Sequence, residues 1–302
     1  MNTTSLSRRA FVAASVHSTA ALALSSWASA ASSGVMRLPV KQARALVVDE
    51  NGLITVAADR KLLFIGADGQ TQSSIDTPRP VRALSHDAQG RLWMTFSDQV
   101  AHMPPDGSLE MIGGSLGKES ALTGIALAED GRIFAADSAQ RLIWRLDAKG
   151  AVLGQIKPGE KGFAVPRAFF PIAWQDGHLI VAEPGRHQIQ RFTAEGEKVA
   201  SWGARSREEA GFAGCCNPVA LAPQADGSIV TVERGSVRVK RFDTAGKVLA
   251  QLAGPDAFAA QASQADDSDL FACESGLLDV AVSKAGRVIV LDRTAGELHV
   301  LS

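Results

Sequence analysis

The chain contains no tyrosine, and only three of its 302 residues are cysteine. The first absence removes a common catalytic acid or base. The three cysteines, Cys215, Cys216 and Cys273, match none of the CxxC spacings of metal or redox sites. There is no serine nucleophile elbow, phosphate-binding glycine loop or CxxCH haem signature. Charge of one sign is also lacking. With 31 basic and 32 acidic residues, the chain carries no electrostatic footprint for nucleic acid or an anionic membrane surface. Beyond residue 30 no apolar run approaches the roughly 20 residues that a membrane helix needs. What is present suits a folded domain: 46% hydrophobic and 21% charged residues supply a sizeable core without the composition of disorder.

The first thirty residues differ from the rest. "SLSRRAFVAAS" places Arg8 and Arg9 directly before an apolar, acid-free run that ends at Ala28-Ser29-Ala30, a small-residue pattern suited to signal peptidase. This segment resembles a twin-arginine export signal, carried by Ser7, Arg8, Arg9, Phe11 and Val12. An ordinary secretory signal, or a retained anchor, is the alternative. Cleavage after Ala30 would leave residues 31–302 as a soluble protein, periplasmic or secreted.

Residues 31–302 contain six copies of one unit. Each reads as four short apolar strands separated by polar turns, and the clearest are "GIALAEDGRIFAADSAQRLIWRLDAKGAVLGQI" and "PIAWQDGHLIVAEPGRHQIQRFTAEGEKVASWG". The anchoring turn glycines, Gly52, Gly90, Gly131, Gly177, Gly227 and Gly286, lie 38, 41, 46, 50 and 59 residues apart. Short Val-, Ile- and Leu-rich runs between Asp-Gly and Lys-Gly turns predict β-meanders rather than helical repeats. Six meanders predict an all-β, six-bladed β-propeller in a single domain. The last copy, "LDVAVSKAGRVIVLDRTAGELHVLS", stops after three strands, and "VMRLPV" near the start is an orphan strand able to complete it.

The segments "AADSAQRLIWRLDAKG", "VAEPGRHQIQRFTAEG" and "TVERGSVRVKRFDTAG" resemble the NHL-repeat family of propellers. "GCCNPVALAPQADGSIVTVERGSVRVKRFDTAG" is similar to an exported bacterial subset with Gly-Cys-Cys-Asn-Pro leading into a blade. The resemblance implies a fold and no particular activity.

In such a meander, the loop leading into strand one and the turn between strands two and three share a face, here termed the top. Three of the incoming loops are long, and two carry the cysteines into blades five and six, so all three sulfurs can meet near the channel mouth. A disulfide from Cys273 to Cys215 or Cys216 would staple two loops and contribute ~2 to 4 kcal/mol. A bond between the adjacent pair would be strained and easily reduced. The alternative is a soft-metal or redox site of Cys215, Cys216 and Cys273 with Glu233 and His187, for which copper or zinc is the candidate ion. Glu183, Glu274 and Asp292 share that face. Phe163, Phe169 and Phe170 crowd the loop before blade four, as a partner-binding lip or, preferably, as a loop folded over the blade core.

Two kinds of function follow. The first is a binding or scaffold protein, taking a protein or a small molecule on the top face. The second is a metal-dependent hydrolase or lyase like the lactonase propellers, whose calcium or zinc is held by Glu, Asn and Asp. Asn217, Glu233 and Asp279 are the candidates, too few to complete the 6 to 8 ligands of calcium. Asn217 has the alternative role of starting a turn before Pro218. A three-histidine zinc site is not expected, because His187 alone falls on a top-face loop; His86 and His178 lie at opposite turns, and His102 and His299 in third strands.

Overall fold

A computed structural model describes residues 34–40, 42–104, 107–258 and 277–301. Residues 1–30, together with Cys273 and Glu274, lie outside the described residues. The described chain forms six four-stranded antiparallel sheets. Blades one to five span 43–76, 83–112, 122–156, 172–202 and 220–253, and each runs in chain order from its innermost to its outermost strand. Blade six combines three strands of 278–301 with Gly34–Arg37, which pairs antiparallel to Glu297–Leu301. The orphan strand therefore closes the ring as the sequence predicts.

Burial follows from blade stacking. The second strands Ile54–Ala58, Ile133–Asp137, Ile229–Glu233 and Val288–Asp292 are buried at every residue. Both their faces meet neighbouring blades, so they read as continuous apolar runs without alternation. The fourth strands rim the disc, and Thr71–Asp76 and Lys198–Trp202 have no fully buried residue. Apolar clusters lie between consecutive blades; one joins Phe134, Ile143 and Ile156 of blade three to Leu179, Val181 and Phe192 of blade four.

Asp49 Oδ1 accepts the backbone N–H groups of Asn51 and Leu53, and Gly52 closes the turn at a φ of 84°, where a side chain would be strained. Phe163, Phe169 and Phe170 are buried, with Phe163 packed on Phe170 and Phe192 at 5.0 and 5.9 Å between ring centres. That loop is folded over the core rather than presented as a lip. No helix among the described residues is long and apolar enough to cross a membrane.

The innermost strand of blade three and the loop leading into blade four approach closely at Gly124, where an added Cβ would stand 2.2 Å from the carbonyl oxygen of Phe170. Gly124→Ala is expected to cost about 2 kcal/mol as backbone is forced apart. A lowered urea midpoint with an unchanged slope would report this, and an unchanged midpoint would contradict it.

Candidate functional site

An acid ends the second strand in blades three to six: Asp137, Glu183, Glu233 and Asp292, each at most 1% exposed. In three of these blades the carboxylate grips the incoming loop of its own blade. Asp137 Oδ1 accepts from the Ala121 N–H at 3.0 Å, Glu183 Oε1 from Ala164 at 2.8 Å and Glu233 Oε2 from Ala213 at 2.7 Å. A second partner comes from seven residues further on, which the hairpin brings to the same face: Trp144 Nε1 for Asp137, Gln190 Nε2 for Glu183, and Lys240 Nζ for Glu233. The acid of the repeat thus fixes loops, a use that explains its recurrence without any ligand.

Glu233 carries the heaviest load. It pairs with Arg238 at 2.7 Å and with Lys240 at 2.8 Å. Lys240 is fully buried, donates to the carbonyls of Glu209 and Gly211 at 2.9 and 2.6 Å, and lies over the Phe212 and Phe242 rings at 5.0 and 5.1 Å. Burial pulls its ammonium below the usual lysine range, while the neighbouring Glu233 opposes that pull.

The loop carrying the two adjacent cysteines is held from three sides. His187, with a φ of 57°, donates from Nε2 to the Gly214 carbonyl at 3.0 Å, which places the ring proton on that nitrogen. Asn217, 1% exposed, donates to the Ala213 carbonyl at 2.6 Å and accepts from the Arg234 N–H at 2.9 Å. Its bond to Pro218 is cis. The Sγ atoms of Cys215 and Cys216 stand 3.4 Å apart, beyond the ~2.05 Å of a bonded pair. Cys216 leans on the apolar cluster of blades five and six, and Cys215 is exposed. Among the described residues, no group of three His, Cys, Asp or Glu side chains is placed to hold a metal ion. Glu233, His187 and Asn217 bind the thiol loop through its backbone instead, and Glu183 serves the loop of blade four.

The first strands of all six blades line a central cavity of about 300 Å³. Asp279 lines it, whereas Asn217 and Glu233 do not, so the three oxygen donors of a calcium-type site are not gathered in one place. Asp279 Oδ2 accepts the Leu46 N–H of blade one at 2.9 Å, and Oδ1 accepts the Val280 N–H at 2.9 Å. The first of these links blade six to blade one at the inner edge, complementing the outer closure. Desolvation of the carboxyl raises its pKa to about 6, against backbone hydrogen bonds and the charge of Arg293.

The other charged groups of the cavity escaped the sequence reading. Arg44, Arg82 and Arg293 all line it. Arg44 is the extra residue of a bulge between Ala43 and Ala45, and Thr123 occupies the same place in blade three, between Leu122 and Gly124. A signal existed. Arg-Ala-Leu occurs at 44–46 and again at 82–84, one blade spacing of 38 residues apart.

No protein-family profile matches the chain, and no curated protein matches it. Solved structures do share the fold. A streptogramin B lyase structure superposes with a TM-score of 0.63 at 17% identity, over 90% of this chain and 97% of that one. A catalytically inactive variant of virginiamycin B lyase from Staphylococcus aureus, with quinupristin, gives 0.60 at 15% identity over 90% and 99%. A Bacteroides thetaiotaomicron protein of unknown function gives 0.62 at 14% identity over 90% and 72%. At these identities the likeness is one of fold.

Proposed function

We propose that this chain is an exported six-bladed propeller of the NHL-repeat type, periplasmic or secreted, that binds a small ligand in the mouth of its central channel. One observation carries the reading: the polar side chains Arg44, Arg82, Thr123, Asp279 and Arg293 converge on a single cavity from blades one, two, three and six. The buried acids Asp137, Glu183 and Glu233, by contrast, are engaged within their own blades. A thermal-shift screen of residues 31–302 against small metabolites tests it. Compounds that raise the melting temperature of the parent protein should lose their effect on Thr123→Phe, which fills the mouth. Hits that survive Thr123→Phe would move the site elsewhere.

The cysteine cluster is the second element of the reading. Cys273 is expected to bond to Cys215 or Cys216 in an oxidising compartment, stapling the loops of blades five and six. Native mass spectrometry without reductant should show a mass lower by two hydrogens, restored by Cys273→Ser. A bound metal that is lost from the Cys215→Ser, Cys216→Ser double variant would assign a soft-metal site instead.

A lyase-type reaction is the alternative. It is favoured by the lyase structures sharing the fold and by the Asp279 carboxyl, which titrates at about 6 within the cavity and so suits proton transfer near neutrality. Loss of turnover in Asp279→Asn with retained binding would select it.

A further inference from the structure

We propose that the channel mouth takes a small oxyanion of about two negative charges, a dicarboxylate or a sulfate- or phosphate-like group, gripped by Arg44, Arg82 and Arg293. This rests on the reading of the channel as a ligand seat and names the chemistry that seat accepts. Three guanidinium groups face a cavity containing one carboxylate, Asp279. Both oxygens of that carboxylate already accept backbone N–H groups, and no contact ion pair joins it to the three arginines among the described residues. An excess of about two positive charges is therefore left at the mouth.

In blade five, by contrast, Lys240 and Arg238 are matched directly by Glu233. The channel arginines instead lie close enough to repel one another. Burial first, with the charges of Arg44 and Arg82, brings Arg293 down to about 10 against the attraction of Asp279. Burial and the neighbouring Arg44 and Arg167 likewise lower Arg82. Both remain cationic at neutral pH. Such a cluster costs stability, and a bound anion relieves the cost.

The backbone is shaped for the same purpose. Bulges re-aim side chains, and the bulged residues here are Arg44 and Thr123. The Arg44 Nε and the Thr123 Oγ1 are both buried with no hydrogen-bond partner among the described residues. Buried donors without partners are costly, and an oxyanion at the mouth would satisfy both. Arg82 is steadied by its Nε donating to Ser97 Oγ at 3.0 Å. Planar guanidinium forks suit paired oxygens, and a cavity of about 300 Å³ is at the small end for ligand sites.

Isothermal titration of residues 31–302 with sulfate and with succinate, at about pH 7.5 and low ionic strength with chloride as the background ion, tests this. At least one probe should bind, with Arg44→Gln weakening it about tenfold or more and Thr123→Val by a smaller factor. The exterior variant Arg132→Gln should leave affinity unchanged. Binding of sulfate alone points to an inorganic or ester group, and binding of succinate alone to an organic carboxylate. Sulfate keeps its charge over this range, so its affinity should also rise as pH falls through about 6, and Asp279→Asn should remove that step; His86, which lines the same cavity and is held below the usual histidine range by burial, adds a further rise at lower pH that the variant keeps. Anion binding unaffected by Arg44→Gln, in a variant that melts like the parent, overturns the proposal. So does a channel that takes neutral or cationic compounds but neither anion. If no compound of any charge binds, the ligand-seat reading itself fails.

Discussion

Glu233→Ala is expected to lower the unfolding free energy by about 3 to 5 kcal/mol, because it leaves two cations without their counter-charge in a dry site. Lys240 is fully buried and its ammonium has two backbone carbonyls as its other hydrogen-bond partners. Those carbonyls, with the Phe212 and Phe242 rings, solvate it in part, so the loss stays below that of a wholly bare ion. The same substitution releases the Ala213 N–H, loosening the loop that bears Cys215 and Cys216. Two consequences should appear together in one titration series of the reduced protein: a reduced urea midpoint, and faster alkylation of Cys216 at denaturant concentrations where the blades are still folded. A double variant, Glu233→Leu with Lys240→Met, removes acid and base at once and should recover part of the loss. If Glu233→Ala unfolds like the parent, the carboxylate is not the anchor of blade five, and a role facing solvent or ligand would have to be reconsidered.

How much of this could be read from the residues differs by level. The six-fold meander was legible because each turn requires a glycine in the left-handed region and each blade a continuous apolar second strand, both visible as a repeat. Ring closure was legible too, since a three-stranded last copy and an unpaired first strand complement one another. The roles of Glu183, Glu233 and His187 were not legible. A buried acid at the end of a strand looks the same in sequence whether it grips a backbone N–H or a metal; only the partner at the seventh following residue and the loop amide distinguish them. Lys240 is the instructive case, because its fully buried position is readable only beside Glu233, Phe212 and Phe242. Two lining residues of the channel were hidden for another reason. Arg44 and Thr123 face the cavity through bulges, and a one-residue bulge reverses the inward and outward alternation from which orientation is inferred.

Asp279→Asn is expected to change the pH dependence of stability by about 3 kcal/mol between pH 4 and 7. The folded protein holds the Asp279 proton to about 6, against an ordinary value of 3.8, a gap of roughly two units at about 1.4 kcal/mol each. Because the folded value is the higher one, the contribution is complete below pH 4 and is lost as pH rises through 6. His86 and His299 run the other way. Burial holds both below the usual histidine value, so the stability tied to them is present above that value and falls as pH drops. The parent profile mixes these opposing slopes, and subtracting the asparagine variant cancels the histidines. Asparagine keeps an acceptor for the Leu46 N–H across the junction of blades six and one, but sets an amide donor against the Val280 N–H, a penalty that does not vary with pH. Measured from urea midpoints, the variant should therefore gain on the parent as pH rises from 4 to 7. With a saturating dianion in the channel, the difference should shift further toward the variant, since a bound anion disfavours the charged carboxylate. A parent-minus-variant difference that stays flat from pH 4 to 7 would show that the channel carboxyl is as well solvated as a surface one.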